Sequence, residues 1–371
     1  MRPIRELLSG WRTGGDWTQQ MAGSGAREGV KAAAELGEAT GAGSGTGAGA
    51  GAGAGTEAGT GAPRVLVVAG THGNERNAPW LIQQWRQRPE LLQRHGLEVE
   101  LEIGNPAAFA AQRRYIERDL NRTFQSELLA DSSQQGVEVQ RARQLLERFG
   151  PGGPKACPVA LDLHSTTAAM GNSLVVYGRR PADLALAAAL QHRLGLPIYL
   201  HEGDASQVGY LVEQWPCGLV IEVGPVAQGL VTAAICRQSQ LALEAALASL
   251  AEAMSGQLQL PAALVVHRHC GSIDLPRDGS GEPIAMLHPS LQGRDWQPLG
   301  TAAPIFCLAD GGVLRLGDLQ VDRGDGPGVS HWPVFINEAA YGEKGIAFSL
   351  TERQRLACDP AWAQALVDLL A

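Results

Sequence analysis

The sequence predicts an α/β protein: a domain built on a mixed, largely parallel sheet covered on both faces, followed by a smaller β-rich C-terminal domain. Three observations carry this. From Arg64 onward, short apolar runs alternate with longer stretches of helical periodicity, the pattern of strand–helix units. Several of the apolar runs are continuous, as in Val65-Leu66-Val67-Val68-Ala69 and Leu219-Val220-Ile221, which suits strands with no solvent-facing side. After about Leu260 the texture changes to short strand-like pieces separated by turns such as Pro276-Arg277-Asp278-Gly279-Ser280-Gly281.

Residues 1–40 are mixed in character, and residues 41–62 alternate glycine with small side chains. Such a segment cannot bury enough apolar surface to offset its ordering entropy. Residues 1–62 therefore read as a disordered extension ending in a Gly/Ala-rich linker. Deleting them is expected to leave activity intact, as measured by kcat of the truncated chain. Residues 63–258 read as the catalytic domain, with strands at 64–69, 97–103, 158–164, 173–177 and 218–223 and helices near 77–87, 136–149, 181–194 and 232–254. Residues 259–371 read as the β-rich domain, with short strands at 262–268 and 312–316 and a closing helix at 360–371.

The 371 residues, 44% of them hydrophobic, suffice for one large core or two smaller ones. A formal net charge of −8 and a pI near 5.6 argue against a nucleic-acid or anionic-membrane partner. A small anionic substrate remains accessible, because a few local arginines outweigh a diffuse negative field. The six cysteines are scattered and form no CxxC pair, as in a protein with reduced thiols. The N-terminus lacks the apolar core of a signal peptide, and no run reaches membrane-spanning length. These features give the expectation of a soluble, cytoplasmic protein with no membrane partner. A homo-oligomer is neither required nor excluded.

The chemistry-bearing residues fall at or just beyond the carboxyl ends of the expected strands, where ligand sites assemble in open α/β sheets. His72 and Glu75 follow the first strand, three positions apart. His164 ends Val159-Ala160-Leu161-Asp162-Leu163-His164. Taken alone, a strand-end histidine reads as a satisfied core residue. Taken together, His72, Glu75 and His164 form a His₂Glu set, a catalytic zinc pattern with one open position. Strand periodicity puts Asp162 on the face of His164, where it suits the orientation of a metal-bound imidazole. Glu222 interrupts a run that otherwise reads as a fully buried strand. Burial there costs several kcal/mol unless the carboxylate is paired or protonated, and it raises the pKa toward the range of a general base; a structural ion pair is the alternative. Arg113 through Arg122 form an arginine-rich run able to clamp carboxylates or stabilise an oxyanion. Arg113 and Arg118 suit a solvated face, whereas Asn121 and Arg122 directly precede Thr123-Phe124, which leads into the core. His267 and His269 are expected as surface strand residues, and His201 and His331 lack any supporting pattern.

In their order, GTHGNE (70–75), NP (105–106), RYIERDLNRTF (114–124), DLHSTT (162–167), IEVGP (221–225) and PVFINEAAYGEK (333–344) resemble the aspartoacylase branch of the aspartoacylase/succinylglutamate desuccinylase family. The resemblance implies a zinc-carboxypeptidase-like three-layer domain whose site is capped by the β-rich domain. It implies one Zn²⁺ per subunit on His72, Glu75 and His164, with Glu222 activating water and Arg114 polarising the scissile carbonyl. Asn121, Arg122, Tyr341 and Lys344 would surround the substrate's carboxylate end. The implied reaction is hydrolysis of a small anionic N-acyl amino acid, first of all N-acetyl-L-aspartate to acetate and L-aspartate; a succinylglutamate desuccinylase or a deacylase of other N-acyl amino acids is the alternative. One departure stands out. Animal aspartoacylases carry a further substrate-binding arginine about ten residues upstream of the IEVGP glutamate, whereas the corresponding stretch here, SQVGYLVEQWPCG (206–218), contains none, and Tyr210 is the nearest candidate once a small insertion is allowed.

Overall fold

A computed structural model describes residues 62–204, 207–319 and 330–371; the N-terminal extension and its linker lie outside the described residues. The first half contains β1 (Arg64–Ala69), α1 (Asn77–Gln87), β2 (Glu98–Ile103), α2 (Pro106–Ala111), α3 (Ser126–Ala130), α4 (Val137–Phe149), β3 (Val159–Ser165) and β4 (Gly171–Tyr177). Next come α5 (Pro181–Leu194), β5 (Ile198–His201), β6 (Cys217–Gly224), α6 (Ala233–Met254) and β7 (Ala263–Asp274). The chain closes with β8 (Ala285–Leu287), β9 (Pro304–Leu308), β10 (Val313–Arg315), β11 (Trp332–Val334), α7 (Ala339–Gly342), β12 (Ile346–Ala357) and α8 (Pro360–Leu370).

Nine strands form one sheet in the order β11-β12-β7-β5-β4-β6-β3-β1-β2. Pairing is parallel from β2 through β1 and β3 to β6, and again from β4 through β5 to β7. It is antiparallel where β4 meets β6 and where β12 meets β7 and β11. The sheet is mixed and largely parallel. Its two faces explain the continuous apolar runs. Val65, Val67 and Ala69 of β1 pack with Leu81, Ile82 and Trp85 of α1 in a core that also takes in α5, α6 and α8. Leu66 and Val68 point the other way, into a core with Ala142, Leu145 and Phe149 of α4 and with Trp215. Helices on both faces make three layers.

The C-terminal part does more than add a separate sheet. β7 and β12 are twelve residues each and extend the large sheet, while β8, β9 and β10 form a small three-stranded sheet over a third core that includes Ile305, Phe306 and Phe348. His267 and His269 correct the expectation of surface residues: they are 7% and 6% exposed, because β7 is an internal strand between β5 and β12. Among the described residues, no helix is long and apolar enough to cross a membrane.

Asp295 ties the segment after β11 to this framework. Its Oδ1 accepts the Ile336 amide at 3.1 Å, and its Oδ2 is buried with no hydrogen-bond partner. Burial pushes the carboxyl up to about 6, against backbone amides that favour the charged form. The ionised form is therefore disfavoured in the folded chain, so the stability contribution present below pH 4 is lost as pH rises through 6. Asp295→Asn is expected to remove this pH dependence, worth at most about 3 kcal/mol at 1.36 kcal/mol per unit. Thermal unfolding of both proteins from pH 4 to 8 checks it.

Candidate active site

The turn that leaves β1 brings His72 and Glu75 to the carboxyl edge of the sheet. Gly70 adopts φ +70°, and a Cβ on Gly73 would lie 2.1 Å from the Ala108 carbonyl carbon, so both positions need glycine. The loop from Arg114 to Asp119 is fastened from below by Glu138 of α4. That buried carboxylate accepts the amides of Ile116 at 2.7 Å, Glu117 at 3.1 Å and Arg118 at 3.3 Å. It also accepts Asn105 Nδ2 at 3.0 Å, while Asn105 Oδ1 caps α2 by accepting the Ala108 amide at 3.1 Å.

His72, Glu75 and His164 are all buried, and their ligand atoms lie within 4.8 Å of one another. Nδ1 of His72 lies 2.6 Å from Glu75 Oε1, and Nδ1 of His164 lies 3.1 Å from Glu75 Oε2. The opposite ring nitrogens each meet a second carboxylate: His72 Nε2 faces Asp119 Oδ1 at 3.0 Å, and His164 Nε2 faces Asp162 Oδ2 at 2.8 Å. Thr71 Oγ1 donates to Asp162 Oδ1 at 2.8 Å. With each Nε2–H donated outward, two Nδ1 lone pairs converge on a carboxylate. That arrangement is repulsive unless a proton or a metal cation sits among them, and the donor set fits a divalent metal with orienting carboxylates behind it.

The electrostatics point the same way. Burial disfavours the charged form of Glu75, yet His72 and His164 outweigh it and hold the carboxyl far below its usual range. Burial opposes protonation of His164, but Asp162 and Glu75 raise it well above the ordinary histidine value. The pocket is built around positive charge.

Glu222 sits on β6 beside His164 of β3 in the strand register. Burial pushes its carboxyl well above the usual value; Glu75 and Glu338 push the same way, while His164 and Arg114 oppose them. Arg114 Nη2 donates to Asp119 Oδ2 at 2.9 Å, and Nη1 lies 3.8 Å from Glu75 Oε1.

One cavity collects most of the residues singled out in the sequence. His72, Glu75, His164, Arg114, Glu222, Asn121, Arg122 and Tyr341 all line it. Lys344 lines an adjacent cleft with Asp274, Arg277 and Glu343 instead. Arg113 and Arg118 are exposed, and Thr123 and Phe124 are buried. Asn121 Oδ1 accepts the Leu211 amide at 2.7 Å, and the Tyr341 hydroxyl lies 3.2 Å from Ser349 Oγ.

Sequence reasoning passed over Asp119, Glu138, Glu338 and His201. Glu338, 8% exposed, reaches from the segment before α7 to the loop that follows His164. Its Oε2 accepts the Thr166 hydroxyl, the Thr167 amide at 2.8 Å, the Thr167 hydroxyl at 2.9 Å and the Ala168 amide at 3.2 Å. His201 lines the cavity and lies 3.5 Å from the Tyr199 hydroxyl. The signal for Glu338 was its place in PVFINEAAYGEK; nothing local showed which loop it would meet.

Comparison with known proteins agrees with this geometry. Residues 61–250 match the family model for the succinylglutamate desuccinylase/aspartoacylase catalytic domain, and residues 262–353 match the AstE/AspA barrel-sandwich hybrid domain. A probable aspartoacylase of Parasynechococcus marenigrum is 59% identical over 306 residues, covering 82% of this chain and 98% of the relative. A probable aspartoacylase of Prochlorococcus marinus is 56% identical, covering 83% and 98%. Among solved structures, murine aminoacylase 3 superposes with a TM-score of 0.71 at 34% identity, covering 80% of this chain and 97% of that one. The succinylglutamate desuccinylase of Chromobacterium violaceum shares the fold at a TM-score of 0.53 and 19% identity, covering 80% and 86%. The chain belongs to the succinylglutamate desuccinylase/aspartoacylase family.

Proposed function

We propose that this protein is a zinc-dependent amidohydrolase that cleaves N-acyl amino acids to a carboxylate and a free amino acid. The observation that carries the proposal is the convergence of two histidine Nδ1 atoms and Glu75 beside a buried carboxylate, Glu222, on the adjoining strand. His72, Glu75 and His164 would hold the zinc, with Asp119 and Asp162 fixing the two imidazoles. Bound there, zinc supplies a Lewis acid that lowers the pKa of water and polarises a carbonyl oxygen. Glu222 takes the proton of the attacking water and returns it to the departing nitrogen. Arg114, held by Asp119, would stabilise the negative charge that develops on the acyl oxygen. Asn121, Arg122 and Tyr341 receive the amino acid's carboxylate, with Lys344 at the outer margin. Residues 63–258 supply the metal site and base, and residues 259–371 cap it with Glu338 and Tyr341.

N-Acetyl-L-aspartate is the first substrate to test, because the curated relatives carry the name aspartoacylase. Loss of turnover on chelation and its return with zinc support the reading; turnover that survives complete metal removal contradicts it. Asp162→Ala tests the support of His164, with zinc affinity expected to fall by about 10–100-fold. Competition of the variant against a zinc chelator of known affinity measures the change.

A further inference from the structure

Arg114 and Asp119 stand at opposite ends of an irregular loop, and their side chains close it with an ion pair at 2.9 Å. Asp119 then reaches the metal side. Its Oδ1 lies 3.0 Å from His72 Nε2 and accepts the Asn121 amide at 2.9 Å. At the other end, the Arg114 carbonyl accepts the amide of Gly73, the neighbour of His72, at 3.1 Å. Both ends of the loop thus meet the His72 turn. The stretch between them is held by a side chain: the Ile116, Glu117 and Arg118 amides all donate to Glu138.

Glu138 lies in the first turn of α4, where the positive end of the helix favours a carboxylate. It is 0% exposed, and a carboxylate so buried is tolerated only when its lone pairs are matched. Here Oε1 accepts Asn105 Nδ2 and the Ile116 amide, while Oε2 accepts the amides of Glu117 and Arg118. All four partners are donors. The clasp is reciprocal, since Glu117 Oε2 accepts the Val137 amide at the start of α4 at 3.1 Å. A glutamine at 138 would keep the volume but turn an NH₂ group toward two of those donors. Asn105 cannot absorb the mismatch by flipping, because its Oδ1 already accepts the Ala108 amide that begins α2.

We propose that Glu138 is a positioning residue: through the loop backbone it sets where Asp119 and Arg114 stand, and so couples the support of His72 to the placement of Arg114. Its effect on turnover rests on the amidohydrolase reading above. Its effect on the metal rests on the contact of Asp119 with His72 and is read without turnover. Glu138 does not line the cavity among the described residues, so any loss of activity travels through the loop.

The test measures Glu138→Gln in the full chain with Asp119 present and in an Asp119→Ala background. With Asp119 present, zinc affinity is expected to fall by about 10-fold in competition against a chelator of known affinity. The kcat of the zinc-loaded variant on an N-acyl amino acid is expected to fall by about 10-fold as well. In the Asp119→Ala background the same substitution should change zinc affinity by less than about 2-fold, because the contact it acts through is gone. A residue that only stabilised the fold would lower the melting temperature and leave both readouts of the folded protein unchanged. Either readout within about 2-fold of the wild type in folded Glu138→Gln, or an equal loss of zinc affinity with and without Asp119, would overturn the proposal. Hydrogen exchange in the wild type needs no variant to fold: the Ile116, Glu117 and Arg118 amides should exchange at least about 10²-fold more slowly than in an unstructured chain. Exchange at the unstructured rate would overturn the clasp. If the zinc-loaded wild type turned over no N-acyl amino acid, the hydrolase reading would fail, and zinc affinity and amide exchange would still decide the role of Glu138.

Discussion

Glu222→Gln is expected to lower kcat by about 10²- to 10⁴-fold, the span usual for a general acid–base residue, while the protein keeps its zinc. The amide is nearly isosteric with the carboxylate, so the buried β6 position between β3 and β4 is not disturbed by volume. On the proposed mechanism, what is lost is the group that accepts a proton from water and returns it to nitrogen. Glu222 is absent from the converging His₂Glu set, so metal content separates this loss from a structural one. The pH profile adds a second reading. Burial raises the Glu222 carboxyl well above its usual value, and the base works in its ionised form. In the wild type kcat/KM should therefore fall as pH drops through that raised value, and the residual activity of the glutamine variant should lack this limb. A variant that retains near-full hydrolysis with zinc bound would remove Glu222 from the mechanism.

Glu338→Ala is expected to be the most damaging change outside the proposed metal ligands and base. The substitution strands the Thr167 amide and two hydroxyls of the Thr166–Ala168 loop, which donate to one carboxylate oxygen, and leaves the Ala168 amide with Thr166 Oγ1 at 3.0 Å as its remaining acceptor. Each buried donor left without an acceptor costs roughly 1–3 kcal/mol where water cannot reach it. The loop follows His164 directly and also meets the end of β6, where Thr166 accepts the Val226 amide at 2.9 Å. Loosening it should displace His164 and Glu222 together. Activity is expected to fall by at least about 10²-fold, the scale on which small misplacements at a reacting centre act. The melting temperature should drop by roughly 10 °C, taking a few degrees per kcal/mol for a chain of this size. Glu338→Gln, which keeps one acceptor oxygen, should recover part of both. Wild-type kcat and melting temperature in the alanine variant would show that the loop holds its position without Glu338.

What the sequence made legible follows a physical divide. β1 and α1 have the bounds that their periodicity predicts, Arg64–Ala69 and Asn77–Gln87, because a buried strand and an amphipathic helix write their burial into local spacing. β5 escaped notice because it is four residues long. β12 escaped because its first half is buried while its second half alternates; its membership of the sheet depends on β7, far away in sequence. The clustering of His72, Glu75 and His164 was legible because they lie at or just beyond strand ends, where position alone implies convergence. Asp162 was legible through strand period. Asp119, Glu138 and Glu338 were not: they act by accepting hydrogen bonds from irregular loops, and Glu338 meets Thr166 across 172 residues. Loop-to-loop contacts of that kind leave no periodic trace.

The most direct test of the account is hydrolysis of an N-acyl amino acid panel by the same protein zinc-loaded, stripped by chelator and reloaded. The account predicts about one zinc per chain, turnover that disappears with the metal, and recovery when zinc returns. Turnover undiminished in the stripped protein, or none across the panel with zinc bound, would contradict it.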